Sequence, residues 1–282
     1  MIQPMLLHKA MNNAPFNSTD YLAELKLDGI RMIITNIDHR IRLYTRNQLE
    51  VTEQFPELQS LVLPPGTTID GELIAADEKG RPDYDRLMER FHSGICFPVT
   101  FTAFDVLHYK GRDVTNLTLI ERKMILIDVI PQDSTSLTKV KYTAGEGPAL
   151  FEAVKERMLE GIVLKEKYSK YILGHRSCFW LKVINLERTD VWVNGYQKNG
   201  FGLHLAHEDG SPAGIVETGM SPKEKAAFYY AANQITQKET EDVVYLEPGI
   251  IQCRVLHRPK TNSGKLRAPS FSHFLFQKEE IY

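Results

Sequence analysis

Eight residues, Glu24-Leu25-Lys26-Leu27-Asp28-Gly29-Ile30-Arg31, constrain this chain more than any other stretch. In a strand, their alternation puts Glu24, Lys26 and Asp28 on one face, so three ionisable groups share one small volume. Gly29 can take the positive φ that a strand-to-turn corner often needs, and it lets a ligand approach the backbone. A lysine amine in such a setting is a candidate covalent nucleophile once desolvation or neighbouring cations lower its pKa. The pattern Lys-x-Asp-Gly is weak alone, with a chance match of roughly one in fifteen for a chain this long. A surface hairpin with a salt-bridged lysine would read the same way, so the rest of the chain decides.

Residues 21–37 read as a strand, and 40–45 as its hairpin partner across the Asp38-His39 turn. Further strands are expected at 68–76, 99–109, 161–166 and 179–184. Helical spacing covers 83–91, 118–130 and 147–159, where Leu150, Phe151, Val154 and Met158 share a side. After Asn185 the texture changes to short strands at 190–197, 201–207, 212–218 and 249–258, with one helix at 222–237. Turn signals such as Lys198-Asn199-Gly200 and Asp209-Gly210 join them. Short strands around one helix suit a small barrel of the OB type. The expected architecture is therefore α+β: a mixed domain over residues 1–186 and an OB-fold domain over 187–282.

The 282 residues suffice for two such cores, and 43% hydrophobic with 25% charged residues is ordinary globular composition. No apolar run reaches membrane-spanning length, and the first ten residues lack the regions of a signal peptide. Cys96, Cys178 and Cys253 are widely spaced, which disfavours a zinc ribbon or a disulfide framework and suits a reducing cytoplasm. The net charge of −2 does not suggest a nucleic-acid binder, but its distribution does. Arg254, Arg258, Lys260, Lys265, Arg267 and Lys278 run without an acid among them. Lys165, Lys167, Lys170, Arg176 and Lys182 form a second basic stretch broken only by Glu166. Such clusters grip phosphates when they are not simply solvated faces.

Four more segments could converge on Lys26: Asp70-Gly71-Glu72-Leu73, Phe104-Asp105, Glu160 to Lys165, and Trp180-Leu181-Lys182. Each has an ordinary explanation taken singly: Phe104 and Trp180 as core, Glu160 as a helix end, Lys182 as an exposed lysine. In this order and at these separations they resemble the covalent nucleotidyltransferases, and most closely the ATP-dependent DNA ligases. Lys26-Leu27-Asp28-Gly29 looks like the first motif of that family, and Thr45-Arg46-Asn47 like its downstream arginine element. Residues 214–219 and 264–269 are similar to stretches of the compact bacterial ligases used in end joining.

The resemblance implies roles. Lys26 attacks the α-phosphorus of ATP, with Asp28 and Lys182 as further catalytic residues. Phe104 stacks on adenine and Glu24 recognises its exocyclic amine. Glu72 binds the ribose or supports a metal-bound water. Glu160, with Asp28 and Glu72, holds Mg²⁺ or Mn²⁺. Arg31, Arg46, Lys165 and Lys182 contact phosphate, and these cations disfavour the protonated form of Lys26. Lys167, Lys170, Arg254, Arg258, Lys260, Lys265 and Arg267 line the path of DNA. The implied partner is nicked duplex DNA, with a monomeric ligase that a Ku-like end-binding protein could recruit.

Two positions depart from the family pattern. Ile184 stands where a second lysine is usual, and residues 275–278 (Leu-Phe-Gln-Lys) keep only the lysine of an Arg-x-Asp-Lys motif. The latter motif orients pyrophosphate, so its loss bears on self-adenylation more than on later steps. The cysteine spacing does not match the zinc module of NAD-dependent ligases, and only 25 residues precede Lys26. An RNA ligase or a GTP-using capping enzyme shares the core motifs. A non-catalytic DNA-end-binding protein is the alternative of another class, opposed by the intact Lys26, Asp28, Glu72, Phe104 and Glu160.

Overall fold

Residues 21–37, expected as one strand, are two strands in different sheets: β2 (Tyr21–Leu25) and β3 (Ile30–Ile37). The crossing is made at Gly29, where a Cβ would lie 2.1 Å from the Leu73 carbonyl oxygen. Gly29 does not have the positive φ expected of it. The requirement is room for another backbone, which only glycine leaves. The computed structural model describes residues 2–78, 80–259 and 265–275. It divides into two compact units, Met1–Asn185 and Leu186–Tyr282.

In the first unit, one sheet runs in the order β1 (Leu6–Lys9), β11 (Arg176–Ile184), β10 (Gly161–Glu166), β2, β9 (Tyr142–Ala144). The second sheet runs β4 (Arg40–Thr45), β3, β5 (Thr67–Ala75), β6 (Val99–Tyr109), β7 (Arg112–Asp113). The short strand β8 (Leu137–Lys139) lies parallel to β6. The β3–β4 hairpin turns at Asp38 and His39, with φ of 52° and 60°, as a two-residue primed turn requires. Among the described residues, three α-helices complete the unit: α1 (Tyr84–Ser93), α2 (Leu119–Val129) and α3 (Gly147–Glu156). Asp83 caps α1 by accepting from the Arg86 N–H, and Thr118 with Glu121 forms a capping box on α2.

Strand alternation sorts the side chains of β3 between two cores. Met32 and Ile34 enter a cluster with Leu43, Phe55, Ile69, Phe101 and Leu126. Ile33 turns the other way, to Met5, Leu22, Phe104, Leu107, Tyr171 and Trp180. The fully buried Trp180 is core, as its composition suggested. A third cluster seats Phe151 and Val154 of α3 against Ala23, Ile162, Leu164 and Val183.

In the second unit, β12 (Glu187–Gln197) pairs with β13 (Leu203–Ala206), which pairs with β14 (Pro212–Val216). The same β12 pairs with β17 (Gln252–Arg258), and β17 with β18 (Arg267–Leu275). The ring closes where the Leu266 N–H donates to the Ala213 carbonyl at 3.0 Å and the Phe271 N–H to that of Thr218 at 2.9 Å. Five strands closed in this way are the expected OB-type barrel, filled by Val191, Val193, Leu205, Val255 and Phe271. The helix expected over 222–237 is shorter, α4 (Pro222–Ala232). The residues after it form β15 (Thr236–Glu239), which pairs with β16 (Val243–Leu246). No helix among the described residues is long and apolar enough to cross a membrane.

Candidate active site

Lys26 lies one residue past β2, yet its N–H still donates to the Gly161 carbonyl at 2.9 Å. The ladder between β2 and β10 thus extends far enough to bring Lys26 beside Glu160, just ahead of β10. The Lys26 Nζ donates to Glu160 Oε2 at 2.7 Å, and that carboxylate side chain is only 2% exposed. The group that faces the amine is therefore the Glu160 carboxylate, while the expected cations Arg31 and Lys165 line the same cleft. Because β2 ends at Leu25, alternation does not carry through to Asp28 as expected. Glu24 and Lys26 line one cleft with Leu7, Arg31, Glu72, Phe104, Lys165 and Trp180, while Asp28 is buried outside that lining.

The cleft is crowded with compensated charge. Arg31 on β3 donates from Nε and Nη2 to the two oxygens of Asp70, at 2.6 and 2.5 Å, and its guanidinium lies 4.5 Å from the Phe104 ring centre. Asp70 also accepts from the Tyr171 hydroxyl at 2.5 Å. The positive charge of Arg31 is thus balanced before any phosphate arrives. Glu24, 2% exposed, is ion-paired with Lys123 of α2 and with Lys165, whose Nζ is 2.7 Å from Glu24 Oε2. The same ammonium stands 4.3 Å from the Phe104 ring centre and 4.2 Å from that of Trp180. Burial brings Lys165 down to about 8, against the pull of Glu24.

Glu72 on β5 has the opposite shift. Burial raises its carboxyl to about 7, with Glu160 and Asp70 adding to the rise while Lys26 and Arg31 oppose it. A carboxyl poised near neutrality beside an amine and a second carboxylate is a usual arrangement for proton and cation handling. The cleft is also tight. Its cavity is 40 Å³, against roughly 300–1,000 Å³ for most ligand sites, so a nucleotide enters only if side chains part.

Residues 4–183 match the family described as ATP dependent DNA ligase domain. The chain belongs to the ATP-dependent DNA ligases. It is 41% identical to the SPbeta prophage-derived DNA ligase-like protein LigB of Bacillus subtilis (strain 168), covering 96% of this chain and 97% of that one. It is 28% identical to the bifunctional non-homologous end joining protein LigD of the same bacterium, over 97% of this chain but 49% of LigD. The ligase thus spans nearly all of one relative and about half of the other. Among solved structures, a Lig E DNA ligase superposes with a TM-score of 0.66 at 21% identity, covering 98% of this chain and 100% of that one. That likeness extends to the two-part fold, an α+β adenylation unit followed by the barrel.

Not every candidate of this ligase gathers at Lys26. Arg46 lines a separate cavity with Gln3, Pro4, Leu6 and Gly174. Lys182 is half-buried on β11, opposite Val163 and beside Lys9. Of the basic residues assigned to DNA, Lys170 is exposed, and Lys167 donates to the Thr19 carbonyl at 2.9 Å with Asp20 nearby. On β17, Cys253, Val255 and His257 are buried in the barrel while Arg254 and Arg258 alternate outward. Arg254 is held by Asp190 through two bonds of 2.6 and 2.8 Å. Arg267 opens β18, and the exposed Lys265 lies two residues before it. Lys260 and residues 276–278 lie outside the described residues.

Sequence reasoning missed Lys123 and Arg122. The buried residues of α2 are Leu119, Arg122, Lys123, Leu126 and Val129, an ordinary helical stripe with two cations in core positions. Arg122 is fully buried and pairs with both oxygens of Asp105, at 2.7 and 2.9 Å. Cations on the apolar stripe of a helix are the signal that could have found them, because buried charge implies a partner.

Proposed function

We propose that this ligase seals nicks in duplex DNA by three successive transfers, with Lys26 as the nucleophile. The observation that carries the reading is the Lys26 amine, held 2.7 Å from Glu160 in a cleft shared with Glu24, Glu72, Phe104 and Lys165. In the first step, Lys26 Nζ gives up a proton, Glu160 being the nearest acceptor, and bonds to the α-phosphorus of ATP as the bond to pyrophosphate breaks. A 5′-phosphate oxygen of the nick then attacks that phosphorus, and the phosphorus–nitrogen bond breaks to restore the amine. Last, the 3′-hydroxyl attacks the DNA phosphorus, closing the backbone and releasing AMP.

Phe104 offers the apolar face for adenine, and Glu24 the acceptor for its exocyclic amine. Among the described residues, no set of three or more His, Cys, Asp or Glu could hold a metal alone. That donor set fits Mg²⁺ or Mn²⁺ arriving with the triphosphate, since Mg²⁺ takes one or two carboxylates and fills its shell with phosphate and water. One or two of Glu160, Glu72 and Asp28 would hold it, and it would neutralise charge on the phosphates. Lys182, Arg46, Lys167 and Lys170 would serve phosphate contacts of the adenylation unit, and Arg254, Arg258, Lys260, Lys265 and Arg267 those of the barrel. Similarity to LigD supports a role in repair by end joining, with a Ku-like protein as recruiter of a monomeric, cytoplasmic enzyme.

The test is incubation with α-labelled ATP and Mg²⁺, followed by denaturing electrophoresis. Wild type should carry an acid-labile, alkali-stable label. Lys26→Ala and Lys26→Arg should both lose it, since a guanidinium stays protonated. Full labelling of Lys26→Ala would remove Lys26 from this role.

A further inference from the structure

Two consecutive residues of α2 bolt the two sheets of the adenylation unit from one helix. Arg122 takes Asp105, the neighbour of Phe104 on β6. Lys123, 3% exposed at its side chain, takes Glu24 on β2, two residues before Lys26. Arg122 has a partner at each of its nitrogens, adding the Leu117 and Ser169 carbonyls at 2.7 and 3.1 Å to its carboxylate. The Lys123 ammonium has Glu24 and the face of Tyr142, whose ring centre is 5.5 Å away. Glu24 is thus gripped at one oxygen by Lys123 and at the other by Lys165. Lys165 lines the cleft, whereas Lys123 reaches Glu24 from outside that lining.

This grip has a chemical consequence. Each carboxylate oxygen keeps lone pairs beyond those its lysine uses, so a doubly held Glu24 remains a fixed acceptor toward the cleft. A carboxylate ion-paired with two ammonium groups has no proton to offer and is acceptor-only. The surplus positive charge is visible on Lys165, lowered by burial and further by Lys123. An acceptor-only group welcomes an exocyclic amine and repels an exocyclic carbonyl oxygen at the same place. Without Lys123, the carboxylate can turn wholly to Lys165 and lose its fixed direction toward the cleft.

We propose that Lys123 is a positioning residue for base selection: it acts through Glu24 to make the ligase prefer a purine triphosphate bearing a 6-amino group over one bearing a 6-oxygen. The proposal rests on the reading of the cleft as the adenine site.

Single-turnover labelling of the full chain with ATP and with inosine triphosphate, over a range of concentrations, tests it. In Lys123→Met, the ATP concentration for half-maximal rate should rise about tenfold, the scale of a lost hydrogen bond to a charged group. The rate at saturating ATP should change little, and the ATP-to-inosine preference should collapse toward unity. Lys123→Arg should restore much of the preference by keeping the charge. Adding Glu24→Gln to Lys123→Met should cost no further selectivity, because the two residues act as one unit. Lys123→Gln, closer in shape and still a donor, serves if the methionine variant does not fold, and should show the same loss in weaker form. Unchanged selectivity and ATP dependence in folded variants overturn the proposal, as does a fall in saturating rate with selectivity intact, which marks a purely structural lysine. Wild type that takes no label from either nucleotide overturns the reading of the cleft itself and the proposal with it.

Discussion

Glu72 shows how one residue links the cleft to the stability of the fold. Its carboxyl is raised by burial to about 7 in the folded chain, from an ordinary value of 4.5. The folded state therefore holds this proton more tightly than the unfolded state does, and folding loses stability as pH rises from about 4.5 through 7. The contribution is fully present below that window and gone above it. Glu72→Gln removes the titration. Relative to wild type, the variant should gain stability between about pH 5 and pH 8, by up to about 3 kcal/mol for a fully expressed shift. Chemical denaturation at the two pH values measures the difference, and a constant gap between the two proteins would mean that Glu72 titrates normally. Self-adenylation should fall in the same variant, because an amide cannot exchange a proton or take a cation as a carboxylate does. The type of each cleft residue was legible in its motif. What was not legible is that Arg31, Lys165 and Lys26 meet carboxylates in this state, since ion pairing depends on contacts distant in sequence, 39 residues for Arg31 with Asp70 and 134 for Lys26 with Glu160.

At the scale of elements, the corner between β2 and β3 decides whether Lys26 meets Glu160 at all. Alternation predicted one strand over residues 21–37 and so found 21–25 and 30–37 but missed the break between them and the change of sheet, because both halves have the same period. Gly29 was singled out for its conformational freedom, whereas the structure uses its lack of a side chain, with the Leu73 carbonyl 2.1 Å from where a Cβ would stand. Gly29→Ala must push β5 away from the corner. Strain of that kind costs about 1–3 kcal/mol, and it should lower self-adenylation by displacing Lys26 and Glu72 together. A variant with wild-type melting temperature and labelling rate would show that the corner yields freely. The strands that sequence reading missed, β1, β7, β8, β9, β15, β16 and β18, are short or polar, or carry Pro269 within the run, so they lack a clear period. Their pairing is set by the sheets they join. The long strands of the first unit and its three α-helices were legible because each carries a regularly spaced apolar face.

At the scale of the whole molecule, a net charge of −2 must be reconciled with a polyanionic substrate. The distribution of charge does this, and the barrel shows it at close range. The outward positions of β17 carry Arg254 and Arg258, but Asp190 on the paired β12 holds Arg254 by two bonds, with the aspartate lowered from its ordinary pKa chiefly by that hydrogen bonding. An exposed pair of this kind adds little to stability, so the aspartate can be removed without harm to the fold. Its removal leaves a guanidinium free to meet phosphate. If this face of the barrel contacts DNA, Asp190→Asn should bind a nicked duplex more tightly, by a few-fold at low salt, and release about one more counterion on binding. The plot of log affinity against log salt would then steepen by roughly 0.9. Reversing Arg254 and Arg258 to glutamate should do the opposite. Neither change should alter the rate of labelling with ATP, which needs no DNA. Affinity that follows neither substitution across the salt series would mean that β17 faces solvent in the complex and that the grip on the nick comes from the adenylation unit.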